Sequence, residues 1–452
     1  MQITFLGAVR TVTGSKYLIN VGPKKILVDC GLYQGYKELR LRNWNMPPVH
    51  PSEIEAIILT HAHIDHSGFI PVFIKKGFKG KVYCSHGTKE LCAILLPDSG
   101  HLQEEDAKNA NQYGYSKHKP ALPLYTREDG INALEQFVAL DFNQPLILFN
   151  EMEVKLFSAG HIIGASLAQL TYKKTTLLFT GDLGRPHHPV MRAPTQITET
   201  DYLVVESTYG DRLHDKSDPL DKLADVINDT VANKGSVVIP AFAVGRTQDL
   251  LYQLYQLKES KRIPNVPIYL DSPMAQNVSD LLKHYSSEHR IPEELCDKVC
   301  QIATYTRTQE ESQAIDASNE SAIIISASGM TEGGRVLHHL KKYLPGASNT
   351  VLFTGFQAPG TRGDRIINGE SHVKIHGEMI PVKARIAVLE NMSAHADYQE
   401  IIEWLKNFKK APIKTFITHG ELTSSTALKN EITEQLHWPC VVPDYLQTET
   451  LA

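Results

Sequence analysis

Short apolar runs, several of them alternating with polar residues, recur along the first 208 residues of the chain. Glycine, proline and charged residues separate them, which is typical of β-strands joined by turns. Most of the later runs stop at a histidine, aspartate or glutamate. The runs are ITFLGA, SKYLINV, KKILVDCG, EAIILTH, KVYCSH, EVKLFSAGH, TTLLFTGD and DYLVVEST. Between them, Thr126 and Asp129 predict the start of a helix over GINALEQFVAL.

The hydrophobic rhythm changes between residues 209 and 384. Helix-like DPLDKLADVINDTVANK leads to the strand-like SVVIPAF, then to helix-like GRTQDLLYQLYQLKES and strand-like VPIYLDS. Such alternation of strands and helices predicts a doubly wound, parallel α/β sheet. From residue 385 the first pattern returns. We therefore predict one domain formed by residues 1–208 and 385–452, with residues 209–384 inserted into it as a second domain.

Composition narrows the class of protein. The chain has 452 residues, 42% hydrophobic and 21% charged, which is ordinary for a globular protein with a sizeable core. No apolar run approaches the ~18 residues of a membrane span, and the N-terminus does not resemble a secretory signal. The six cysteines are scattered and form no CxxC motif, which favours a reducing cytoplasm. A net charge of −5 argues against a generic nucleic-acid-coating protein.

One loop, LTHAHIDHSG at residues 59–68, concentrates metal-binding chemistry. His61, His63, Asp65 and His66 fall within six residues directly after an apolar run. Imidazole and carboxylate groups are suited to zinc. Four ligands on a single tetrahedral ion would leave no position for water, so the loop predicts two metal ions.

Further ligand-type residues also stand at predicted strand ends. They are His161 in SAGHIIGAS, Asp182 in LLFTGDLGR and His419 in FITHGE. Asp29 in LVDCG is interpreted differently, as a carboxylate that orients a ligand histidine by hydrogen bonding.

The HxHxDH loop followed by His161, Asp182 and His419 resembles the metallo-β-lactamase fold, an αββα sandwich. The segments ESTYG, PAFAVGRTQDLL, SASGMTEGGR, SAHAD and THGE resemble the β-CASP nucleases, in particular the RNA-cleaving ones such as the endonuclease subunit of the polyadenylation machinery. The resemblance covers nearly the whole chain. It implies two zinc ions, one held by His61, His63, His161 and Asp182, and the other by Asp65, His66, Asp182 and His419.

The same resemblance pairs Glu206 with His395 as an acidic residue and a catalytic histidine. DNA-processing relatives carry an aliphatic residue where this chain has His419, so the resemblance favours single-stranded RNA as substrate. Two zinc ions would supply a hydroxide that attacks phosphorus, and the departing oxygen would still need a proton. His395 is the expected acid, held charged by Glu206. Asp65 is assigned to the catalytic set as well as to the ligands.

Phosphate binding is expected in the inserted domain. SASGMTEGGR reads as a strand, a glycine-rich turn and a helix start, where backbone N–H groups can face an anion. Ordinary helix capping is an equally good explanation of each residue. The candidates are Arg246, Ser328, Gly329, Thr331, Arg335, Thr361 and Arg362.

Several alternatives stay open at this point. The motifs are also compatible with three other interpretations: a DNA nuclease, a thioesterase-like hydrolase of the same fold and a non-catalytic scaffold. The sequence does not separate endonuclease from 5′–3′ exonuclease activity, name an RNA target or decide between a monomer and a homodimer. Only 33 residues follow His419, so a further C-terminal domain is not expected.

Overall fold

The computed structural model describes residues 1–114, 116–149 and 151–452, and it divides the chain into two compact units. Unit 1 consists of Met1–Leu213 and His395–Ala452, and unit 2 of His214–Ala394. Each unit has its own sheets and its own hydrophobic core.

The strands of both units are short and rich in β-branched residues, as expected for half-buried or buried strands. Unit 1 begins with β1 Gln2–Phe5, β2 Tyr17–Val21, β3 Lys24–Val28, β4 Ile54–Ile58, β5 Lys81–Ser85, β6 Phe137–Leu140, β7 Pro145–Leu148, β8 Met152–Ser158, β9 Ser166–Tyr172, β10 Thr175–Phe179 and β11 Tyr202–Val205. Unit 2 contains β12 Val237–Pro240, β13 Ile268–Asp271, β14 Thr304–Tyr305, β15 Ile323–Ser326, β16 Thr350–Phe353, β17 His372–Ile375, β18 Glu378–Pro381 and β19 Arg385–Val388. The return segment of unit 1 adds β20 Lys414–Ile417, β21 Cys440–Val441 and β22 Thr448–Thr450.

The helices lie between these strands. Unit 1 has α1 Lys37–Arg42, α2 Ile64–Ser67, α3 Ile70–Lys75, α4 His86–Tyr113 and α5 Arg127–Ala133 in its first segment. Unit 2 has α6 Pro219–Ala232, α7 Arg246–Glu259, α8 Pro273–His284, α9 Glu293–Cys300, α10 Gln309–Ala317, α11 Val336–Tyr343 and α12 Arg362–Ile367. The return segment adds α13 Tyr398–Leu405 and α14 Leu422–Leu436. Single 3₁₀ turns occur at Pro51–Glu53, Leu134–Gln136 and Glu390–Met392.

Two sheets of unit 1 share one apolar core. Their strand orders are β22-β1-β2-β3-β4-β5-β6 and β21-β20-β11-β10-β9-β8-β7. Alternate residues of each strand point into the core, for example Ile3 and Phe5 from the first sheet and Leu156, Leu177 and Phe179 from the second, all essentially inaccessible to solvent. Helices lie against the sheets, α4 against β5 and β6 of the first and α14 against β20 and β21 of the second. This is the αββα sandwich that the resemblance implied, and that expectation is confirmed.

Unit 2 is built around a parallel sheet in the order β14-β13-β15-β12-β16-β19. Its central strands are buried along their whole length, which explains their continuous apolar sequences such as Ile323–Ser326. A separate antiparallel hairpin joins β17 to β18. The expected inserted α/β domain is thus confirmed as a fold.

The helix expected over GINALEQFVAL ends early. Thr126 caps α5 by accepting a hydrogen bond from the Asp129 amide (3.1 Å), but the helix stops at Ala133. Phe137–Leu140 instead forms β6, which pairs in parallel with β5. Hydrogen bonds to the β5 edge are available only in the folded chain, and phenylalanine and valine fit a pleated surface well. Tertiary pairing therefore decides the conformation of these four residues.

The compact units also differ from the division expected at residues 384 and 385. Arg385–Val388 pairs in parallel with β16 and completes the sheet of unit 2, so the return segment starts later, at His395. At the other end, unit 1 continues to Leu213 rather than stopping at residue 208. A strand as short as RIAV is compatible with the edge of either sheet, and local sequence does not choose between them.

Two further observations concern the helices and the cysteines. Within the described ranges, none of the helices combines the length and the apolar character needed to cross a membrane. The six cysteine side chains are free thiols, with Cys30, Cys84, Cys92 and Cys296 buried.

Candidate metal centre

Histidine and carboxylate side chains of unit 1 leave the ends of neighbouring strands. In the first sheet, Asp29 follows β3 and His61 follows β4, and these two strands are parallel neighbours. In the second sheet, Asp182, Glu206 and His419 follow β10, β11 and β20, which are also parallel neighbours. Carboxyl ends of adjacent parallel strands lie at one edge of a sheet, so the topology gathers these residues.

The first group comprises His61, His63, His161 and Asp182, with burial ranging from complete to partial. His63 Nδ1 lies 3.1 Å from His61 Nε2 and 3.3 Å from His161 Nε2. Asp182 Oδ2 lies 3.3 Å from His61 Nε2 and 3.5 Å from His161 Nε2. A tetrahedral ion with bonds of about 2.0–2.1 Å separates its ligands by about 3.3 Å. The four donor atoms therefore have the spacing that a zinc-sized ion requires.

The second group comprises Asp65, His66 and His419. His419 Nε2 lies 3.1 Å from His66 Nε2 and 3.3 Å from Asp65 Oδ2. Asp182 connects the two groups. Its Oδ2 faces the first group, whereas its Oδ1 lies 3.2 Å from His66 Nε2 and 3.5 Å from His419 Nδ1. One carboxylate thus presents one oxygen to each group, which is the arrangement of a bridging ligand.

The imidazoles of the first group are suited to bind a cation. Burial, reinforced by neighbouring His61, lowers the pKa of His63 to about 3. Burial likewise lowers the pKa of His61 and moves that of His161 well below its usual value. Neutral imidazoles keep a nitrogen lone pair for a metal ion at neutral pH.

The second group has a different electrostatic environment. Burial opposes a positive charge on His66, but the carboxylates of Asp182, Asp29 and Asp65 together raise its pKa well above the usual value. Those carboxylates favour a positive charge at this position, and a bound metal ion would satisfy the same field in place of a proton.

Asp29 lies behind the second group rather than in it. Its Oδ2 is 2.8 Å from His66 Nδ1, and its Oδ1 accepts a hydrogen bond from the Thr60 amide (2.8 Å). Bonding at Nδ1 leaves Nε2 of His66 directed toward Asp182 and His419. A carboxylate in this position can orient a ligand histidine, and the orienting role of Asp29 stays a prediction.

Two threonines near the ligands were not expected from the sequence. Thr60 Oγ1 donates to Asp29, and Thr208 Oγ1 lies 3.1 Å from His419 Nδ1. Each stands within two residues of a candidate ligand or acid, at the end of a strand. This position in the sequence could have identified them, because a small hydroxyl group at the end of a strand can fix the orientation of a neighbouring imidazole.

His395 and Glu206 form a pair beside the first group. Both Glu206 oxygens lie 3.0 Å from His395 Nδ1, and Glu206 is itself held by the Leu183 amide at 2.6 Å. His395 Nε2 points the other way and lies 4.0 Å from Asp182 Oδ2. Burial opposes charge on His395, but Glu206 and Asp182 outweigh it and raise its pKa to about 9. The His395 side chain keeps 17% exposure, so it can reach a bound substrate.

The phosphate candidates lie in unit 2 at the carboxyl ends of β12, β15 and β16, which are neighbours in the sheet. The loop after β15 is tightly bonded to itself: Ser328 Oγ accepts from the Glu332 amide (3.2 Å), and Thr331 is fully buried with φ +57°. Gly329 leaves no space for a side chain, because a Cβ there would meet the Phe242 ring at 2.8 Å.

Other candidates already have structural partners. Thr361 caps α12 by accepting from the Asp364 amide (3.3 Å). Arg362 donates to the Lys374 carbonyl (2.9 Å), and Arg246 lies 3.3 Å from Asp249. These contacts fit the capping explanation, and an additional role in phosphate binding stays a prediction.

Arg335 contacts a buried carboxylate and two backbone carbonyls of unit 2. Its guanidinium lies 2.6 Å from Oδ1 of Asp271, which is completely buried, and donates to the Arg307 carbonyl at 2.7 Å. Asp271 also lies 2.8 Å from His339 Nε2 and accepts from Thr306 and Ser312. Arg335 therefore balances a buried charge within unit 2, a role that the sequence did not suggest.

We expect Arg335→Ala to lower the free energy of unfolding by on the order of 2–3 kcal/mol, because a buried carboxylate loses charge-assisted hydrogen bonds. Urea unfolding of the whole chain measures the change. Arg385→Ala is the matched control, since Arg385 and Asp229 form a pair with side-chain exposures of 52% and 62%. Loss of that pair should cost about 0–1 kcal/mol. Equal stability of the two variants would contradict the assigned role of Arg335.

Comparison with known proteins agrees with this architecture. The family model described as the metallo-beta-lactamase superfamily matches residues 10–230, and the Beta-Casp domain matches residues 247–366. A third model, described as the Zn-dependent metallo-hydrolase RNA specificity domain, matches residues 379–443.

Curated relatives match over almost the full chain. Ribonuclease TTHA0252 of Thermus thermophilus is 33% identical over 95% of this chain and 95% of its own length. Transcription termination factor FttA of Methanocaldococcus jannaschii is 27% identical over 93% of this chain and 67% of its own. Integrator complex subunit 11 of Gallus gallus is 24% identical over 100% of this chain and 74% of its own. With its sandwich, its inserted sheet and these matches, the chain belongs to the β-CASP family of the metallo-β-lactamase superfamily.

Proposed function

We propose that the protein hydrolyses phosphodiester bonds of single-stranded RNA with two zinc ions, leaving a 5′-phosphate and a 3′-hydroxyl. The observation that carries this proposal is the position of Asp182, with one oxygen toward each ligand group and His395 Nε2 4.0 Å away. Two metal positions and a proton donor would thus adjoin one carboxylate.

The broader activity is that of a metal-dependent ribonuclease. A relative named as a ribonuclease shares 33% identity across 95% of both chains, and one matching family model is described as a Zn-dependent metallo-hydrolase domain. The model described as an RNA specificity domain spans residues 379–443 and so includes both His395 and His419. These matches support RNA over DNA and over small esters.

The first zinc would be held by His61, His63, His161 and Asp182, and the second by Asp65, His66, Asp182 and His419. When bound, the two ions would supply an activated water nucleophile at neutral pH and stabilise negative charge on the reacting phosphate. Asp29 and Thr208 would fix the orientation of His66 and His419 from behind. Asp65, with 19% side-chain exposure, is partly accessible and would also face the substrate.

His395 would protonate the departing 3′-oxygen. Glu206 accepts the hydrogen bond of the Nδ1 proton, which fixes the ring and leaves an Nε2 proton directed toward the metal side. Glu206 is 1% exposed and is itself bonded to a backbone amide, so the pair is held in a defined geometry. A histidine positioned in this way can act as a general acid near neutral pH. The cytoplasmic location and the oligomeric state stay predictions.

The proposal is tested by measuring zinc content together with cleavage of an internally labelled single-stranded RNA. Purified protein in zinc-replete buffer should contain two zinc ions per chain and should release products with 5′-phosphates. One ion or none per active chain would refute the dinuclear site. A 2′,3′-cyclic phosphate product would refute attack by water, because such a product arises from attack by the ribose 2′-hydroxyl.

A further inference from the structure

A second cavity of unit 1, about 170 Å³ in volume, lies next to the metal-ligand loop but contains none of its ligands. Lys16 and Phe69 line it. Lys16 follows Ser15, which contacts candidate ligands, and Phe69 stands shortly after the candidate ligand His66. The neighbouring Ser15 amide donates to the Asp65 carbonyl (2.8 Å), and Ser15 Oγ lies 3.3 Å from His66 Nε2. The segment Ser15–Lys16 therefore contacts the candidate ligands at one residue and lines the cavity at the next.

Lys16 places a cation in the wall of the cavity. It is 3% exposed, and its ammonium lies 4.8 Å from the ring centres of both Tyr33 and Phe69. It also donates to the Gly31 carbonyl. Among the described residues, no carboxylate lies within ion-pair distance of Lys16. A buried ammonium with only neutral partners favours an anionic or strongly accepting ligand.

Arg42 and Tyr445 stand at the exposed mouth of the cavity. The Arg42 guanidinium lies 4.6 Å from the centre of the Tyr445 ring and 5.5 Å from that of Tyr33. The Tyr445 side chain is 41% exposed, and nearby Trp44 is 59% exposed. Flat aromatic rings beside guanidinium groups are the surfaces on which unpaired nucleobases stack.

The volume of the cavity distinguishes a whole, enclosed nucleotide from one nucleotide of a longer strand. Pockets for drug-sized molecules usually enclose roughly 300–1,000 Å³. A cavity of about 170 Å³ is too small to enclose a whole ligand of that size. It fits part of one nucleotide whose remainder continues along the protein surface, as in a polymer.

We propose that this cavity is a subsite for one nucleotide of the RNA strand, with its base stacked on Tyr445 and Arg42 and an acceptor oxygen facing Lys16. This inference rests on the proposed function, since it concerns how the same substrate is held. The subsite would position the strand beside the metal centre without taking part in bond cleavage.

Binding of a fluorescein-labelled, phosphorothioate-linked 12-mer of uridine to the zinc-loaded protein tests the subsite. Fluorescence anisotropy at several salt concentrations gives the affinity and its salt dependence. Tyr445→Ala should weaken binding by roughly 5-fold or more, the usual consequence of losing one stacking ring. Lys16→Met should reduce the slope of log affinity against log salt by about 0.7, the value for one phosphate contact on a single strand.

Matched controls come from exposed residues of the same unit. Tyr113→Ala removes a tyrosine that is 71% exposed, and Lys108→Met removes a lysine whose side chain is 70% exposed. Both controls should bind the 12-mer like the unchanged protein, and all four variants should keep their zinc. Because Lys16 is buried, its variant is first checked by thermal unfolding, whereas the exposed Tyr445 tests the subsite independently.

The outcomes separate this inference from the proposed function. Unchanged affinity and salt slope in both subsite variants, in a protein that still cuts RNA, would overturn the subsite alone. A protein that neither binds nor cuts RNA would overturn the proposed function as well. Tight binding of uridine 5′-monophosphate that Tyr445→Ala abolishes, without any effect on the 12-mer, would overturn the RNA assignment and indicate a free nucleotide as ligand.

Discussion

We expect the Asp182→Ala protein to lose both metal ions, because one carboxylate oxygen faces each ligand group. Cleavage of RNA should fall by more than roughly 10³-fold, beyond the loss caused by removing a single charge-stabilising group. Metal analysis of the folded variant, with circular dichroism to verify folding, measures the first effect. A single-turnover cleavage assay measures the second.

Other variants test whether the loss of both metal ions is caused by the bridging position of Asp182. Asp141→Ala removes a carboxylate whose side chain is 77% exposed, and it should retain full metal content and activity. Asp182→Asn keeps only one oxygen, so it should retain metal better at one position than at the other. If Asp182→Ala protein kept two ions with normal affinity, Asp182 would not be a bridging ligand.

The second large effect concerns His395. His395→Ala should bind RNA and zinc normally but cleave more slowly by roughly 10²–10⁴-fold, the usual contribution of general acid catalysis. The physical reason is a division of roles, since metal ions supply the nucleophile but no proton for the departing oxygen. Single-turnover rates at saturating protein, together with RNA affinity, separate slow chemistry from weak binding. His118→Ala, which changes an exposed histidine of unit 1, is the control and should cleave normally.

The substrate can be varied as well as the protein. An activated aryl phosphodiester releases a group that needs no proton, so the defect of His395→Ala should shrink on it. Glu206→Gln should cleave at an intermediate rate, because the amide can still accept a hydrogen bond from Nδ1 but no longer stabilises the charged ring. Equal losses on natural and activated substrates would reassign His395 from proton donor to a positioning role.

Much of the candidate site was accessible from the sequence because metal chemistry restricts residue types severely. His61, His63, Asp65 and His66 are close in sequence, and such spacing rarely has another explanation. His161, Asp182 and His419 each follow an apolar run that becomes a strand. The pattern of a strand and the types of candidate ligand residues are both local properties of the sequence. They can therefore be predicted without knowledge of the tertiary structure.

The inserted domain was also accessible, for a related reason. Parallel sheets are buried on both faces, so their strands are continuous apolar runs such as SAIIIS between amphipathic helices. The placement of RIAV could not be predicted, because a strand of four residues fits the edge of either sheet until its partner strand is known. The same limitation applied to FVAL, which pairs with β5.

By itself, the sequence determined the types of the candidate ligands, their order and the two-domain α/β class, since these depend on residue chemistry and on periodicity. Only the tertiary structure decided which oxygen of Asp182 faces which group, that Arg335 is bound to the buried Asp271, and that Lys16 lines a cavity beside Asp65. Those facts depend on contacts between residues tens to hundreds of positions apart. Such contacts form only when strands pair and side chains pack, and no local pattern records them.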